Sequence, residues 1–562
     1  MRIVTQLGLP VPMRDGTTLV ADVYLPDVGH RVPALLLRTP YGRSQALSAA
    51  FFDGLRFVKD GYAVVVQDTR GRFDSGGDFY PFRDEGLDGV DSVQWVADAD
   101  WCNGRVGMIG ASYVGATQWL AASRQSPLGA IAPLLTANSF RDGWIYRAGA
   151  LELGFVLRWV LRLCLDTARR RVASGRASPD LLERVMDACD RVESLYQHLD
   201  ADATDLLAEL APYYLDWLRQ PPDATAWQAI APDPRPEIAA AAALNVGGWH
   251  DIFLGGTLAN YSRQRAAAVA AGGASPGLIV GPWSHVVYTG TFPGRRFGAR
   301  GSVEIADVAG EQIRWFNRWL RDDPGDVDWR PPVRLFVMGD DCWQDFGEWP
   351  PSGSVATSIY LHPPVPSTDA ASAAGSLGAG PPADGDDDAD VLVFDPARPV
   401  PTAGGATLLE GSAVGERSGP VDLGAIPRPG VRSYLSPVLD RPMTIVGPVE
   451  LRLHAWSRDE AAVGFDVVAH LADVAPTGRA ELLTTGVLRV PAHAAEQELV
   501  VDMAGTAATI AAGHAIRLDL AASDFPRFDL NPGAVAAGGV SISVGRSPSR
   551  PSRLILPVLR GA

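Results

Sequence analysis

The segment RVGMIGASYVGATQWLAA, from Arg105 to Ala122, decides how the rest of the chain is read. VGMIG is a short apolar run ending on Gly110, Ser112 follows two residues later, and helical spacing begins at once. A strand that turns sharply into a helix crowds its own backbone. Small residues are needed beside such a turn, and Gly110 and Ala111 meet that need. The generic nucleophile pattern G-x-S-x-G asks for a second glycine at position 114, but Val114 stands there and Gly115 comes one later. Taken alone, the segment leaves open whether Ser112 is a nucleophile or an ordinary serine in a glycine-rich turn.

Outward from this turn the chain alternates. VPALLLRT (from Val32), YAVVVQD (from Tyr62), VGMIG (from Val106) and AIAPLLTA (from Ala130) read as buried strands, short, apolar and bounded by Gly, Pro or Asp. DEGLDGVDSVQWVADA (from Asp84) and SYVGATQWLAAS (from Ser112) read as helices between them, which predicts a mostly parallel sheet covered on both faces. The alternation stops near Arg141. ELGFVLRWVLRLCLDTARRRV and PDLLERVMDACDRVESLYQHL look helical, with no strand-like run until about Ala242. ALNVGGWHD, GLIVGPWSH and the amphipathic EIADVAGEQIRWFNRWL then resume the αβ pattern.

The expected fold class is therefore α/β, with a catalytic core at 1–140 and 243–350 interrupted by a helical cap insertion at 141–242. Pro366 to Asp390, rich in Pro, Gly, Ala and Asp, predicts an exposed loop. Beyond it MTIVGPVELRLHAW, GFDVVAHLADV, ELLTTGVLRV, AIRLDLAAS, GVSISVG and SRLILPVLR alternate between turn residues. They predict a β jelly-roll sandwich over 351–562, packed against core and cap.

With 562 residues the chain exceeds one compact core, and a net charge of −16 argues against a nucleic-acid partner. No apolar stretch is long enough to span a bilayer and no secretory signal is visible, so no membrane partner and a cytoplasmic location are expected. Cys102, Cys164, Cys189 and Cys342 are scattered without C-x-x-C spacing, which predicts neither a disulfide framework nor a zinc site. No ligand-spaced cluster implies a metal or an organic cofactor.

A serine hydroxyl needs a base beside it, and the base needs a third group to hold its tautomer. In α/β hydrolases these follow in the order Ser, acid, His, each after a later strand. Asp251 follows ALNVGGW and His285 follows GLIVGPW, 34 residues on, which leaves room for one helix and one strand. Among nine histidines only His285 sits after a core strand downstream of the acid; His250 reads as a local structural residue. Asp68, after YAVVVQ, is a rival carboxylate that precedes the serine. An oxyanion needs donors, and one is expected from the Tyr113 backbone N–H. RTPYGRS carries no HGGG-like run, but the phenol of Tyr41 can donate; plain packing is the other reading of that tyrosine.

RTPYGR, QDTRGRFDSGG, GASYVGATQ, GGWHDIFLGG and GPWSH, in this order, resemble the cocaine esterase / X-Pro dipeptidyl-peptidase family, serine hydrolases of the CocE/NonD type. The resemblance extends over nearly the whole chain. It implies an α/β-hydrolase core, an inserted helical cap and a C-terminal jelly roll. Within the family S-Y-x-G replaces the generic pattern, so Val114 and Gly115 cease to be a departure. By resemblance Ser112 is the nucleophile, Asp251 the acid, His285 the base, and Tyr41 an oxyanion donor beside the Tyr113 amide. Phe253 matches a position lining the acyl pocket, and Trp144 is a looser match to a pocket tryptophan.

The expected substrate is a small-molecule ester, amide or short peptide. Esterase is ranked ahead of X-Pro dipeptidyl-peptidase, with α-amino-acid ester hydrolysis and acyl transfer on the same scaffold as further readings. A peptidase needs acidic groups for a substrate ammonium, and Asp142 and Glu152 near the cap entrance are the candidates, salt-bridged positions being the alternative. A reading of another class is a catalytically inactive jelly-roll binding protein. The oligomeric state is not legible, and a homodimer is among the states open.

Overall fold

The computed structural model of the protein describes residues 2–46, 48–49, 51–124, 126–221, 223–230, 241–272, 275–321, 332–364, 375–383, 389–411, 417–426, 428–458, 463–493 and 497–560. A ten-stranded sheet organises the core. Its strands are β1 (Ile3–Pro12), β2 (Thr18–Pro26), β3 (Val32–Thr39), β4 (Ala63–Asp68), β5 (Cys102–Ala111), β6 (Leu128–Leu134), β7 (Ala242–His250), β8 (Gly277–Ser284), β9 (Val333–Val337) and β10 (Cys342–Phe346). They lie in the order β1-β2-β4-β3-β5-β6-β7-β8-β9-β10. From β4 to β9 every pairing is parallel, and only β1, β2 and β10 run antiparallel to their neighbours. The order reverses around β3, where the chain leaves for β4 on one side and returns to β5 on the other. In such sheets, sites form at the carboxyl ends of the strands near the reversal.

Alternation along each strand explains the two helical layers. Leu35 and Leu37 of β3 pack in one cluster with Phe57, Val58, Phe316 and Leu320. Ala34 and Leu36 point the other way, into a cluster with Val93, Val96, Trp119 and Ala121. The helix Tyr113–Ala122 that follows Ser112 is buried along its whole length, which is why its sequence is apolar all round rather than striped.

The strands of two hairpins escape the sequence reading. The β1–β2 hairpin is paired from Ile3 to Pro26, but β1 is an edge strand with an exposed run over Gln6, Leu7 and Gly8, so it carries no buried pattern. The block from Arg141, expected to be helical, opens instead with a short hairpin pairing Tyr146–Arg147 with Ala150–Leu151. Helices Leu153–Ala173, Asp180–Asp190, Val192–Gln197, Ala201–Leu210, Pro212–Arg219 and Thr225–Ala229 follow. The hairpin forms because a partner outside the block holds it: Arg489 N–H donates to Ala148 O at 3.0 Å, and Leu151 N–H to an Asp529 carboxylate oxygen at 2.8 Å.

Downstream, twelve strands build a sandwich of jelly-roll type. Besides the six expected segments, Ser354–Pro364, Ala389–Phe394, Arg432–Leu435 and Gln497–Ile510 are strands. Of the predicted Pro366–Asp390 loop, residues 366–374 and 384–388 lie outside the described residues. Gly375–Gly378 corrects the reading: it is a strand, because Leu377 is buried between Ser354–Pro364 and Arg432–Leu435. Trp249, Leu258, Leu278 and Phe336 of the core share one hydrophobic cluster with Leu451, Val501 and Leu518 of the sandwich. No helix among the described residues is long and apolar enough to cross a membrane.

Candidate active site

Ser112 lies where β5 turns into its helix, with φ +61° and ψ −125°. For a residue with a Cβ this backbone is strained, and such strain persists only where the surroundings impose it. Ser112 N–H donates to Leu134 O at 2.9 Å, and Ser112 O accepts from the amides of Gly115 and Ala116, both at 2.9 Å. Gly110 has φ +135°, and a Cβ there would overlap Val114 Cγ1. At Gly115 a Cβ would come within 2.8 Å of Thr136 Cβ. The displaced glycine is thus required for close approach of helix to β6, while Val114 fills the space that Gly110 leaves open.

The carboxyl ends of β7 and β8 bring Asp251 and His285 to this serine. His285 Nε2 is 3.0 Å from Ser112 Oγ, and His285 Nδ1 is 2.7 Å from Asp251 Oδ1. The Asp251 side chain is fully buried and that of His285 is 9% exposed. The other Asp251 oxygen accepts from Phe253 N–H at 3.1 Å, so both carboxylate oxygens have donors. This fixes Nδ1–H toward the carboxylate and turns the lone pair of Nε2 toward Ser112.

Tyr41 is 39% exposed as a residue, but its hydroxyl end is crowded by protein. Trp159 Nε1–H donates to that oxygen at 3.1 Å. Loss of solvent pushes the phenol pKa up to about 12, against the opposing Trp159 bond and Arg72 charge, so the O–H stays a donor at neutral pH. The Tyr41 loop is held by charged side chains. Arg43, two residues on, donates its N–H to Asp68 at 2.7 Å and its guanidinium to Asp68 and Asp22 at 2.5 and 2.9 Å, while Arg72 donates to Pro40 O at 2.9 Å. Asp68, the rival carboxylate, is thereby committed to holding this loop.

Tyr113 N–H heads its helix, among the amides that have no intrahelical acceptor. Its side chain is buried, donating to Glu85 Oε1 at 3.0 Å and accepting from Phe82 N–H at 2.9 Å. Burial, with the Glu85 charge beside it, raises its phenol well above 10. Phe253 stands edge-on to His285 with centroids 5.2 Å apart, and Trp144 stacks on Phe253 at 4.3 Å. Trp144 is fully buried, backing Phe253 rather than facing solvent. Phe82, Phe155 and Trp159 extend the same aromatic wall. Sequence reasoning missed these three, and Glu85 as well. Trp159 sits on a cap helix 118 residues from Tyr41, where only the bond between them marks it.

The other candidates are used elsewhere. His250 packs against Phe292 and Phe297, and burial drives its pKa down to about 3. Asp142 pairs with Arg141 at 2.5 Å. Glu152 is buried against Arg147 at 2.7 Å, with Arg527 at 3.8 Å.

The sheet order and the strained serine turn are those of an α/β hydrolase. The chain belongs to the cocaine esterase / X-Pro dipeptidyl-peptidase family. Residues 15–287 match the X-Pro dipeptidyl-peptidase (S15 family) model, and residues 326–546 match that of the X-Pro dipeptidyl-peptidase C-terminal non-catalytic domain. The chain is 34% identical to the cocaine esterase of Rhodococcus sp. (strain MB1 Bresler), over 98% of each sequence. Its fold is similar to that of an α-amino acid ester hydrolase, with a TM-score of 0.79 at 22% identity over 99% of this chain and 96% of the other. It is similar also to an aminopeptidase of the marine sediment archaeon Thaumarchaeota archaeon, with a TM-score of 0.78 at 20% identity over 99% and 96%.

Proposed function

We propose that the protein is an esterase that cleaves small acyl esters, and amides more slowly, through a covalent acyl-enzyme on Ser112. The observation that carries this reading is His285 bridging Ser112 at 3.0 Å and Asp251 at 2.7 Å. His285 Nε2 takes the Ser112 proton as Oγ bonds to the acyl carbon, and Asp251 holds the imidazolium that forms. The Tyr41 O–H and the Tyr113 N–H donate to the oxyanion. His285 returns the proton to the departing alcohol or amine, then activates the water that releases the acid. The steps consume no metal or organic cofactor. Phe253, backed by Trp144, borders the acyl group beside His285.

Peptidase and amino-ester readings need a carboxylate free to hold an ammonium. Pairing of Asp142 with Arg141, and of Glu152 with Arg147, favours the plain ester. The cocaine esterase kinship supports the same ranking. Turnover of p-nitrophenyl acetate and benzoate is expected to exceed that of Gly-Pro-p-nitroanilide by orders of magnitude; faster cleavage of the anilide would reverse the ranking.

Tyr41→Phe isolates the phenol donor. Loss of one oxyanion donor costs about 10²–10³ in kcat, with KM little changed. Because the phenol pKa lies near 12, wild-type activity should show no loss from Tyr41 ionisation below about pH 11. Full turnover by the phenylalanine variant would remove Tyr41 from the oxyanion hole.

A further inference from the structure

The loop carrying Asp251 is braced from behind by charged side chains that the steps above do not use. Arg147, on the cap hairpin, donates through Nη2 to Ile252 O at 2.5 Å, the carbonyl between Asp251 and Phe253. The same guanidinium donates through Nε to Glu152 Oε1 at 2.7 Å. Glu152 is 3% exposed, and its second oxygen faces Arg527 of the sandwich, which is 2% exposed, at 3.8 Å. Arg527 is itself anchored, its N–H donating to Thr402 Oγ1 at 3.0 Å and its carbonyl accepting from Gly154 N–H at 3.3 Å. A cavity of about 20 Å³ is bordered by Arg147, His250, Asp251, Thr485 and Arg527, so cap, acid loop and sandwich meet at one point.

We propose that Arg147, held by Glu152 and through it by Arg527, is a positioning residue that sets the Asp251–Phe253 loop against His285. The inference rests on the Ser112–His285–Asp251 reading. Through this relay the insertion and the C-terminal sandwich share a hold on the acid loop. The hydrogen bond to Ile252 O fixes the backbone from which both the acid and Phe253 project. Glu152 neutralises the buried guanidinium and sets its plane, since a fork of fixed geometry can meet a carboxylate and a carbonyl together. Lysine keeps the charge but, with a single ammonium, cannot span both acceptors in the same geometry.

Arg147→Lys and Arg147→Met test this with p-nitrophenyl acetate, reading kcat, KM and the number of active sites labelled by a fluorophosphonate. Misplacement of a catalytic group by about 1 Å costs up to about 10²-fold. Arg147→Lys is expected to lose roughly tenfold in kcat and Arg147→Met more, with KM within about threefold. The discriminating readout is kcat per active site, with sites counted by exhaustive fluorophosphonate labelling. A displaced acid loop lowers the turnover of every labelled site, whereas a merely destabilised protein loses labelled sites and keeps its kcat per site. A folded Arg147→Lys with kcat per labelled site within twofold of wild type overturns the proposal, and it decides the matter alone if the methionine variant does not fold. Ser112→Ala, assayed alongside, separates the failures: substantial hydrolysis by that variant would overturn the underlying triad instead.

Discussion

Ser112→Ala is expected to lower kcat on p-nitrophenyl esters by at least about 10⁴-fold and to abolish covalent labelling by a fluorophosphonate. The alanine methyl has no electron pair to offer the acyl carbon, so only the oxyanion donors and the aromatic wall remain. Folding should survive. The φ of +61° is as unfavourable for alanine as for serine, and the Ser112 backbone bonds to Leu134, Gly115 and Ala116 do not involve the hydroxyl. Loss of the Oγ–His285 bond is worth about 0.5–1.5 kcal/mol, a few degrees of melting temperature at most for a chain this large. Peptide mapping of the labelled wild type should place the adduct on Ser112. An adduct elsewhere, or an alanine variant retaining more than about 1% of wild-type turnover, would refute the nucleophile.

Asp251→Asn is expected to cost about 10⁴-fold in kcat while leaving the fold intact, and the cause is a tautomer. Oδ2 of Asp251 accepts from Phe253 N–H at 3.1 Å, so the carbonyl oxygen of an asparagine would settle there. Its NH₂ group then faces His285 Nδ1, where the carboxylate oxygen lay at 2.7 Å. Nδ1 must become the acceptor, and the ring proton moves to Nε2. That proton points at Ser112 Oγ, 3.0 Å away, and a protonated Nε2 cannot take the serine proton. The side chains are isosteric and the site is fully buried, so repacking gives no relief. A variant with less than tenfold loss and an unchanged melting temperature would show that Asp251 does not orient the base.

Much of this site was legible locally. The Gly110–Ala111–Ser112 turn, and the acid and histidine after later strands, are patterns within a few residues of each chemical group. Their order follows from a parallel sheet whose strands all end on one face. The C-terminal sandwich was readable by its period-two segments, except for Ser354–Pro364, Gln497–Ile510 and its shorter strands. The β1–β2 hairpin was not, because its edge strand faces solvent and shows no apolar alternation.

What the sequence by itself determined, then, is the α/β alternation, the serine turn and the chain order of Ser112, Asp251 and His285. Each depends on backbone geometry and burial encoded over one or two elements. The tertiary structure alone decided which polar side chains are spent on scaffolding and which remain for chemistry. Asp68 went to Arg43, Glu152 to Arg147, and Tyr41 gained a donor in Trp159. These choices include contacts between residues 118 apart for Trp159–Tyr41 and 105 apart for Arg147–Ile252. At such separations no periodicity or motif carries the pairing, because it exists only once cap, core and sandwich have packed.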